Sequence, residues 1–344
     1  MGSVTGRATD GALAWCIDDE VVRLRLRGDT RAFGLPLEAH EWTIGSAKGC
    51  ELILRDPSNT VSRRHAQLVR DGAAWRVRDL GSTNGIREGA ELRKSVVLAP
   101  GVELSIGSIV LVAESERLAQ LRGFLARAIG FGDAAGAAVD DALRATRAFA
   151  NGAAALVLAG AGDLSRVAQR LHAIAVGEKP FVAHAGAGAA AELLARARTG
   201  TLCLAAERLP ASAGRAAFEV DAAPARLVAW AATRDLAAPI AARAGRIETI
   251  ELPPLRARSA AERDRIIDEY AADAATTLEA PAPNLRALDH QWLRAVELDS
   301  LAQIEQLALR LVALRNWGVT AGGARLGITH VALSRWARRR GIPT

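Results

Sequence analysis

The chain has 344 residues, half of them apolar and about a quarter charged, a globular composition with room for two or three domains. Three scattered cysteines, Cys16, Cys50 and Cys203, form neither a metal-binding spacing nor a disulfide framework, which favours a reducing compartment. No apolar run approaches the ~18 residues of a membrane span, and the first residues lack the order of a signal peptide. These features predict a cytoplasmic protein that does not act in a membrane.

The net charge of +6 is unevenly distributed. Six arginines and no acidic residue lie between Arg315 and the C-terminus, whereas the first 314 residues carry 38 basic and 38 acidic side chains. The excess positive charge therefore lies in the last thirty residues and predicts a polyanion-binding end. Charge alone is equally compatible with a solvated basic tail.

The N-terminal third shows short β-type runs separated by Gly, Asp, Pro and Asn, a pattern typical of a β-sandwich. The predicted strands are Val21–Arg27, Trp42–Ile44, Glu51–Leu54, Ala66–Val69, Trp75–Arg78, Val96–Leu98 and Ile109–Val112. Two loops between them, Val61–Ala66 and Asp79–Gly85, combine hydroxyl, amide and guanidinium groups. Such groups suit recognition of one phosphate by several short donors.

The two loops, with Gly45 before them and Leu104–Gly107 after them, resemble a forkhead-associated (FHA) domain over residues 20–114. The resemblance implies that Ser62 and Arg63 bind the phosphate of a phosphothreonine, and that Thr83 and Asn84 hold the surrounding peptide. It implies structural roles for His65 and for Asp79, Leu80 and Gly81. The candidate phosphopeptide-binding residues are Gly45, Ser46, Lys48, Ser62, Arg63, Arg64, Thr83 and Asn84.

One position departs from the FHA pattern, because Ser46 follows Gly45 where the family usually has arginine. Loss of a bidentate arginine removes a charge-assisted interaction of about 1.5–3 kcal/mol. Lys48 or Arg64 can substitute in part, although lysine lacks the planar fork of the guanidinium. We therefore expect weakened or altered phosphopeptide binding on an unchanged fold.

After Glu114 the apolar period becomes helical, as Leu118, Leu121 and Leu125 show, and Ala-rich segments alternate with short apolar runs. This alternation predicts an α/β domain over residues 115–283, up to a Pro/Ala linker near 280–283. Its landmarks resemble, in eroded form, the AAA+ domain of sigma-54-dependent activators (bacterial enhancer-binding proteins). The landmarks are the phosphate-loop region Leu156–Ala168, the Walker B strand from Gly200 through Pro210, the sensor strand Arg226–Leu236 and the turn Leu252–Arg256.

The residues that ATP hydrolysis needs are missing from these landmarks. A phosphate loop requires Gly-Lys-Ser/Thr, and this chain has Gly-Asp-Leu-Ser with Asp163 facing the phosphate position. The Walker B acids are replaced by Ala205 and Ala206, and Glu207 fits only after a register shift.

The loop that binds sigma-54 in this family is also missing, because only nineteen residues separate Phe181 from Thr201. Within them, His184 and residues 186–188 are interpreted as the lead-in to a helix. We expect no enzymatic activity, no cofactor and no metal, and interpret the domain as a scaffold.

Residues 284–344 are predicted to be helical, beginning with Ser300 as a helix cap. A short helix at 320–326, a turn at 327–329 and a final helix from His330 resemble the Fis-type helix-turn-helix that ends enhancer-binding proteins. At ~100° per residue, one arc of the final helix can pack inward and the opposite arc suits a DNA major groove. The inward arc is Ala332, Leu333, Trp336 and Ala337. The candidate DNA-binding residues are Thr329, His330, Val331, Ser334, Arg335, Arg338, Arg339 and Arg340.

The sequence thus predicts a multidomain chain with a tail (1–19), an FHA β-sandwich (20–114), a degenerate α/β AAA+-like domain (115–283) and an all-α helix-turn-helix (284–344). We interpret it as a phosphothreonine-responsive, DNA-binding transcriptional regulator without ATPase activity. The expected partners are near-palindromic DNA and a phosphothreonine-containing protein, such as a kinase or a second copy of the chain. Ser300–Leu314 is the expected homodimer contact. The alternatives are an active sigma-54-type ATPase and a phosphoprotein adaptor that no longer binds DNA.

Overall fold

A computed structural model describes residues 20–36, 41–72, 74–184, 190–206, 226–236 and 246–342, so the predicted tail at 1–19 lies outside the described residues. The chain divides into two compact units, residues 1–158 with 168–250 and residues 159–167 with 251–344. Within the described ranges, no helix has both the length and the apolar character needed to cross a membrane.

The N-terminal part is a β-sandwich of two sheets. One sheet has the order β2-β1-β11-β10-β7-β8 and the other β4-β3-β5-β6-β9. The strands are β1 (Arg23–Leu26), β2 (Ala32–Gly34), β3 (Glu41–Gly45), β4 (Leu52–Ile53), β5 (Ala66–Asp71), β6 (Ala74–Asp79), β7 (Ile86–Glu88), β8 (Glu91–Arg93), β9 (Ser95–Leu98), β10 (Glu103–Ile106) and β11 (Ile109–Glu114). The described pairings are antiparallel except for the parallel pair β3–β4.

All seven predicted strands are confirmed to within two residues at each end. The strands β2, β7, β8 and β10 were not predicted as strands. The residues that alternate inward along both sheets form one core that includes Leu24, Leu68, Trp75, Leu104 and Leu111, all essentially inaccessible to solvent.

Two helices, α1 (Glu116–Ile129) and α2 (Asp133–Ala150), follow the sandwich within the same compact unit. A buried ionic cluster connects α2 to β1: the Arg25 guanidinium donates to Glu114 Oε1 at 2.5 Å and to Asp140 Oδ1 at 2.5 Å. The Gly28 amide also donates to Asp140 Oδ2 at 2.5 Å. Arg25, Glu114 and Asp140 are at most 4 % exposed, so the pairs are shielded from water. Arg25 and Glu114 are thereby shielded from solvent, and Asp140 joins Arg25 to α2.

The α/β part contains a sheet of the order β13-β14-β15-β12-β16, with the first of its strands in chain order beside the last. Its strands are β12 (Ala155–Gly160), β13 (Phe181–His184), β14 (Thr201–Ala205), β15 (Arg226–Ala231) and β16 (Ile247–Leu252), and its helices include α3 (Leu164–Ala175) and α4 (Ala190–Ala197). The described pairings β13–β14 and β14–β15 are parallel. An α/β layer was predicted, and short apolar runs were predicted where the strands β12, β14 and β15 lie. Residues 186–188 and Glu207 lie outside the described residues.

The second unit is helical beyond a 3₁₀ turn at Leu255–Ala257. Its helices are α5 (Ala260–Leu278), α6 (Ala287–Ala295), α7 (Leu301–Arg325) and α8 (His330–Arg339). The predicted linker near 280–283 falls between α5 and α6, where the backbone is not helical. Helix α7 is interrupted at Gly318, whose φ of +68° is left-handed and costs glycine little. This break separates the predicted short helix from the longer one before it.

Candidate functional site

The predicted phosphopeptide residues lie on three loops at one edge of the sandwich. The loop after β3 is fixed to the Val61–Ala66 loop because the Ser46 and Ala47 amides donate to the carbonyls of Ser62 and Arg63, both at 3.1 Å. Gly45 is needed at this contact: a Cβ there would lie 2.3 Å from the Arg63 carbonyl oxygen. The structure therefore assigns Gly45 a steric role in the site rather than a ligand contact.

His65 connects the second loop to the third from inside the fold. Its Nδ1 accepts from the Ser62 amide at 3.0 Å, so its Nε2 carries the proton and donates to the Gly85 carbonyl at 3.0 Å. The side chain is fully buried. The prediction that His65 braces the loop is confirmed.

The third loop is shaped by Asp79, as predicted. Its carboxylate accepts from the Gly81 amide at 2.9 Å, the Ser82 amide at 3.2 Å and the Ser82 hydroxyl at 2.5 Å. The Ser82 hydroxyl oxygen accepts in turn from the Gly85 amide at 2.9 Å. This closed turn presents Thr83 and Asn84 at its tip, where both are exposed.

The polar groups that face solvent at this edge are those predicted. Ser46, Lys48, Arg63, Arg64, Thr83 and Asn84 are exposed, and Ser62 is half-buried. The Ser62 hydroxyl oxygen accepts from the Thr83 amide at 3.2 Å, which leaves its own hydrogen available to a ligand. The edge thus collects cations and hydroxyls on loops that are held from below. We name these exposed residues, together with Ser62, the peptide edge.

The cations of the peptide edge differ in their surroundings. The carboxylate of Glu51 accepts from the Thr43 amide at 2.7 Å, and the nearby Arg64 contributes to holding the pKa of Glu51 below its usual range, after the larger effect of backbone hydrogen bonds. No carboxylate forms a described ion pair with Lys48 or Arg63 anywhere in the ranges that the structure covers. The Ser46 hydroxyl donates to the Val61 carbonyl at 3.1 Å and so points into the loop. Arg63 is therefore the freest guanidinium for a phosphate.

Sequence reasoning missed Asp56 and Thr60, which support this edge. The Asp56 carboxylate accepts from Thr60, and the Thr60 carbonyl accepts from the Asn84 side-chain amide at 2.8 Å. An Asp-Pro-Ser-Asn segment at 56–59 does predict an Asx-type turn. Nothing in the sequence indicates that this turn contacts Asn84, since the two lie far apart along the chain.

The C-terminal helices have the predicted order of a short helix, a turn and a final helix. The Thr329 hydroxyl oxygen accepts from the Ala332 amide at 3.2 Å and so caps α8, while Gly327 in the turn has a φ of +67°. Leu333, Trp336 and Ala337 are buried as predicted, but Ala332 is exposed. Ala332 was wrongly placed on the packing arc: at ~100° per residue it lies at one margin of that arc. The exposed face carries His330, Val331, Arg335, Arg338 and Arg339, with Ser334 half-buried.

Two of the six C-terminal arginines are structural. The Arg315 guanidinium forms a buried bidentate pair with Asp289, at 2.9 Å from Nε to Oδ2 and 2.5 Å from Nη2 to Oδ1. The Arg325 guanidinium lies 4.3 Å from the Trp317 ring centre and donates to the Leu278 carbonyl at 2.7 Å. The basic surface is therefore narrower than the sequence indicates. Arg340 also contacts an aromatic ring, with its guanidinium 5.5 Å from the Trp336 ring centre.

The helix that was predicted to form the dimer contact is largely used within the chain. Ser300 caps α7 as predicted, since its hydroxyl oxygen accepts from the Gln303 amide at 3.3 Å. Most of the apolar positions of that helix, namely Ile304, Ala308, Leu311 and Leu314, are at most 3 % exposed in the single chain. A face that already packs inside one chain is not available to a second copy, so a dimer would need other residues.

The phosphate-loop region of the α/β part holds a carboxylate at the start of a helix. The Asp163 carboxylate accepts from the Arg166 amide at 3.2 Å and pairs with the Arg166 guanidinium at 3.2 Å, at the N-terminus of α3. A phosphate would compete with this carboxylate for the same helix end. Ala205 is buried at the end of β14, where a metal-binding acid would be required.

Comparison with known proteins finds similarity in the N-terminal part. Residues 25–116 match the family model described as the cytoplasmic domain of an inner membrane component of T3SS. Two curated relatives named oxoglutarate dehydrogenase inhibitor, from Corynebacterium diphtheriae and Corynebacterium jeikeium, are 37% and 47% identical over 86 residues each. Those matches take in 25% of this chain and 59% and 58% of the relatives, so the chain spans under two thirds of their length.

A solved structure from work on phosphothreonine-dependent FHA domain interactions is 27% identical, with a TM-score of 0.25. The match covers 27% of this chain and 95% of that one. The two-sheet sandwich predicted from the FHA resemblance is confirmed by the strand order, and its loops meet where the resemblance places them. The N-terminal third of the chain is thus a two-sheet β-sandwich.

Proposed function

We propose that the chain is a cytoplasmic, phosphothreonine-responsive, DNA-binding regulator. Its N-terminal sandwich binds a phosphothreonine-containing segment of a partner, such as a kinase or a second copy of the chain. Its C-terminal helix α8 binds DNA. The observation that carries the proposal is the peptide edge, where Ser62, Arg63 and Asn84 are presented together on loops fixed by His65 and Asp79.

The chemistry of the peptide edge favours a phosphorylated ligand. A phosphothreonine carries a charge of about −1.5 to −2 and three acceptor oxygens, which match a free hydroxyl and an unpaired guanidinium. Hydrogen bonds to charged groups contribute about 1.5–3 kcal/mol each, so loss of one donor is measurable. Because the loops are already fixed, little ordering entropy opposes binding.

The test measures binding of the full chain to a phosphothreonine peptide and to its unphosphorylated twin by calorimetry. We expect the wild type to prefer the phosphorylated form and the double variant Ser62→Ala with Arg63→Ala to lose that preference. Arg31→Ala, which removes an exposed cation that pairs with Asp29 on the β1–β2 turn, is the matched control and should bind normally. Equal binding of both peptides across a phosphothreonine library would refute the proposal.

The DNA-binding half of the proposal is supported by the exposed face of α8. Arg335, Arg338 and Arg339 are exposed there beside Val331, an apolar group suited to a thymine methyl. The capped helix follows the short helix and the turn at Gly327, the arrangement of a recognition helix. Selection of bound sites from random DNA, followed by binding at several salt concentrations, should give a near-palindromic site, which two copies of the chain bind through a dimer contact outside the buried positions of α7. Equal affinity for selected and random DNA at every salt concentration would mean that α8 binds DNA only through non-specific charge, which would refute sequence-specific DNA binding.

A second candidate, a phosphoprotein adaptor that does not bind DNA, is favoured by one observation. The Arg315 guanidinium is buried against Asp289, which leaves one cation fewer for a polyanion. The selection experiment separates the two functions: phosphopeptide binding without any DNA selected would support the adaptor.

For the α/β part we propose a scaffold without ATPase activity. The support is the Asp163 carboxylate at the N-terminus of α3, together with Ala205 and Ala206 at the end of β14. Purified chain should release no phosphate from ATP in the presence of magnesium. ATP hydrolysis that disappears when the α/β part is deleted would contradict this proposal and support the active sigma-54-type activator.

A further inference from the structure

Asp56 anchors the loop that leads from β4 into the peptide edge. Its carboxylate accepts five hydrogen bonds from its own loop and from the β10–β11 turn. The donors are the Ser58 amide (2.9 Å), the Thr60 amide (2.5 Å) and hydroxyl (2.6 Å), the Val61 amide (3.0 Å) and the Ser108 hydroxyl (2.8 Å). The Thr60 hydroxyl is the largest cause that holds the pKa of Asp56 well below its usual range, so the carboxylate stays charged at neutral pH.

Thr60 is fixed on both sides. Its hydroxyl donates to Asp56 and accepts from the Ser108 amide at 2.6 Å, so the same oxygen joins two loops. The β10–β11 turn lies so close that a Cβ on Gly107 would come within 2.4 Å of that oxygen. Thr60 therefore has little freedom to move its carbonyl group.

That carbonyl orients Asn84. The Asn84 Nδ2 donates to the Thr60 carbonyl oxygen at 2.8 Å, which leaves Oδ1 and the second N–H of the amide facing outward. Asn84 is exposed and belongs to the peptide edge. An outward amide with one acceptor and one donor matches the main-chain N–H and C=O of an extended peptide.

We propose that Asp56 is a positioning residue of the peptide edge: through Thr60 it holds the Asn84 amide in the orientation that pairs with the peptide main chain. The inference rests on the proposed phosphothreonine binding and assigns the site two separable parts. Ser62 and Arg63 contact the phosphate, whereas the contact between Thr60 and Asn84 acts on the peptide main chain. The Asp56 carboxylate also holds the Val61 amide next to Ser62, so its effect on the phosphate is smaller but not absent.

The test uses the full chain and two ligands, a phosphothreonine peptide and free phosphothreonine, which has no flanking main chain. Asp56→Asn removes the charge and sets the new amide NH2 against backbone donors, either Ser58 or Thr60, depending on which way the amide is turned. Thr60→Val removes the hydroxyl but keeps the carbonyl. Each variant should bind the peptide about five- to tenfold more weakly, the loss of one hydrogen bond, and should lose clearly less affinity for free phosphothreonine. Asp71→Asn, at the far end of β5, is the matched control.

A double-mutant cycle completes the test. In an Asn84→Ala background, Asp56→Asn should cause no further loss of peptide affinity, because the group that it positions is absent. Additive losses, equal weakening of both ligands, or a peptide affinity unchanged by Asp56→Asn would overturn the inference. Wild-type chain that binds neither ligand would instead overturn the proposed function and the inference with it.

Discussion

The arginines of the peptide edge and those of the C-terminal helices look alike in the sequence but differ in the fold. Arg63 and Arg64 are exposed on loops fixed by backbone hydrogen bonds, and neither is buried against a carboxylate. In the C-terminal helices, Arg315 is buried against Asp289 and Arg325 lies on a tryptophan, although both fall in the most basic part of the chain. Net charge per segment therefore overstates the surface available to a polyanion, because it counts structural cations.

The largest effect that would sharpen this comparison concerns Arg25, the most deeply buried arginine of the sandwich. Arg25→Ala leaves the buried Asp140 carboxylate without its cation, whereas Glu114 keeps Arg23 and Arg122. We expect the free energy of unfolding to fall by about 3–5 kcal/mol, measured by urea denaturation. Arg31→Ala, which removes an exposed pair, should cost less than about 1 kcal/mol. Similar small losses for both variants would show that the buried cluster stabilises little.

The second prediction concerns Arg315. Arg315→Ala leaves one buried carboxylate, Asp289, which makes its backbone contact to Arg286 but loses its bidentate partner. We expect the free energy of unfolding to fall by about 3 kcal/mol, which is the lower end of the range for a broken buried ion pair. Under conditions where the variant is folded, the salt dependence of its DNA affinity should equal that of the wild type. A reduced salt slope would mean that Arg315 contacts DNA after all.

The third prediction tests pH dependence at the same pair. Burial opposes the charged form of Asp289, but hydrogen bonds from Arg315 and Arg286 outweigh it and lower the pKa of Asp289. A lowered pKa in the folded state adds stability above the unfolded value of about 4, and this is lost as the pH falls below it. In thermal melts of the wild type, the melting temperature should fall as the pH is lowered from 7 to 3. In Asp289→Asn this fall should be smaller, and the melting temperature at pH 7 should be lower than in the wild type.

The fourth prediction concerns the missing arginine of the peptide edge. Ser46→Arg restores a guanidinium beside Arg63 and should tighten phosphothreonine-peptide binding by about 1.5–3 kcal/mol. Ser46→Lys, with a point charge instead of a fork, should give a smaller gain. Unchanged affinity in both variants would show that Lys48 or Arg64 already fills this role.

The smallest effects separate base reading from phosphate contact on α8. Arg335→Ala should weaken binding to the selected DNA site by about 1–3 kcal/mol and relax discrimination at one base position. Arg339→Ala, near the end of the helix, should weaken all sequences alike and lower the salt slope by about one. Binding of a selected site at several salt concentrations distinguishes the two. Identical behaviour of both variants would contradict a defined docking geometry.

The sandwich and its loops were predictable because strand alternation and turn residues are local signals. The ionic cluster of Arg25 was not, since it joins residues 115 positions apart along the chain. The same limit explains Arg315, whose partner Asp289 lies on another helix. Helical periodicity placed Leu333 and Trp336 correctly but misplaced Ala332, because a period defines the middle of a face better than its margins.

The contact between α2 and β1 affects how this sandwich can be inherited as a module. A Cβ at Gly136 would lie 2.3 Å from the Gly28 carbonyl oxygen, so α2 approaches the β1–β2 turn as closely as a glycine allows. Cutting the chain after β11 would remove Asp140 and leave the Arg25 guanidinium without one of its two carboxylates. Recombination that transferred residues 20–114 alone would therefore carry a defect that transfer through Ala150 avoids. The boundary at which evolution can move this sandwich intact lies after α2, not after its last strand.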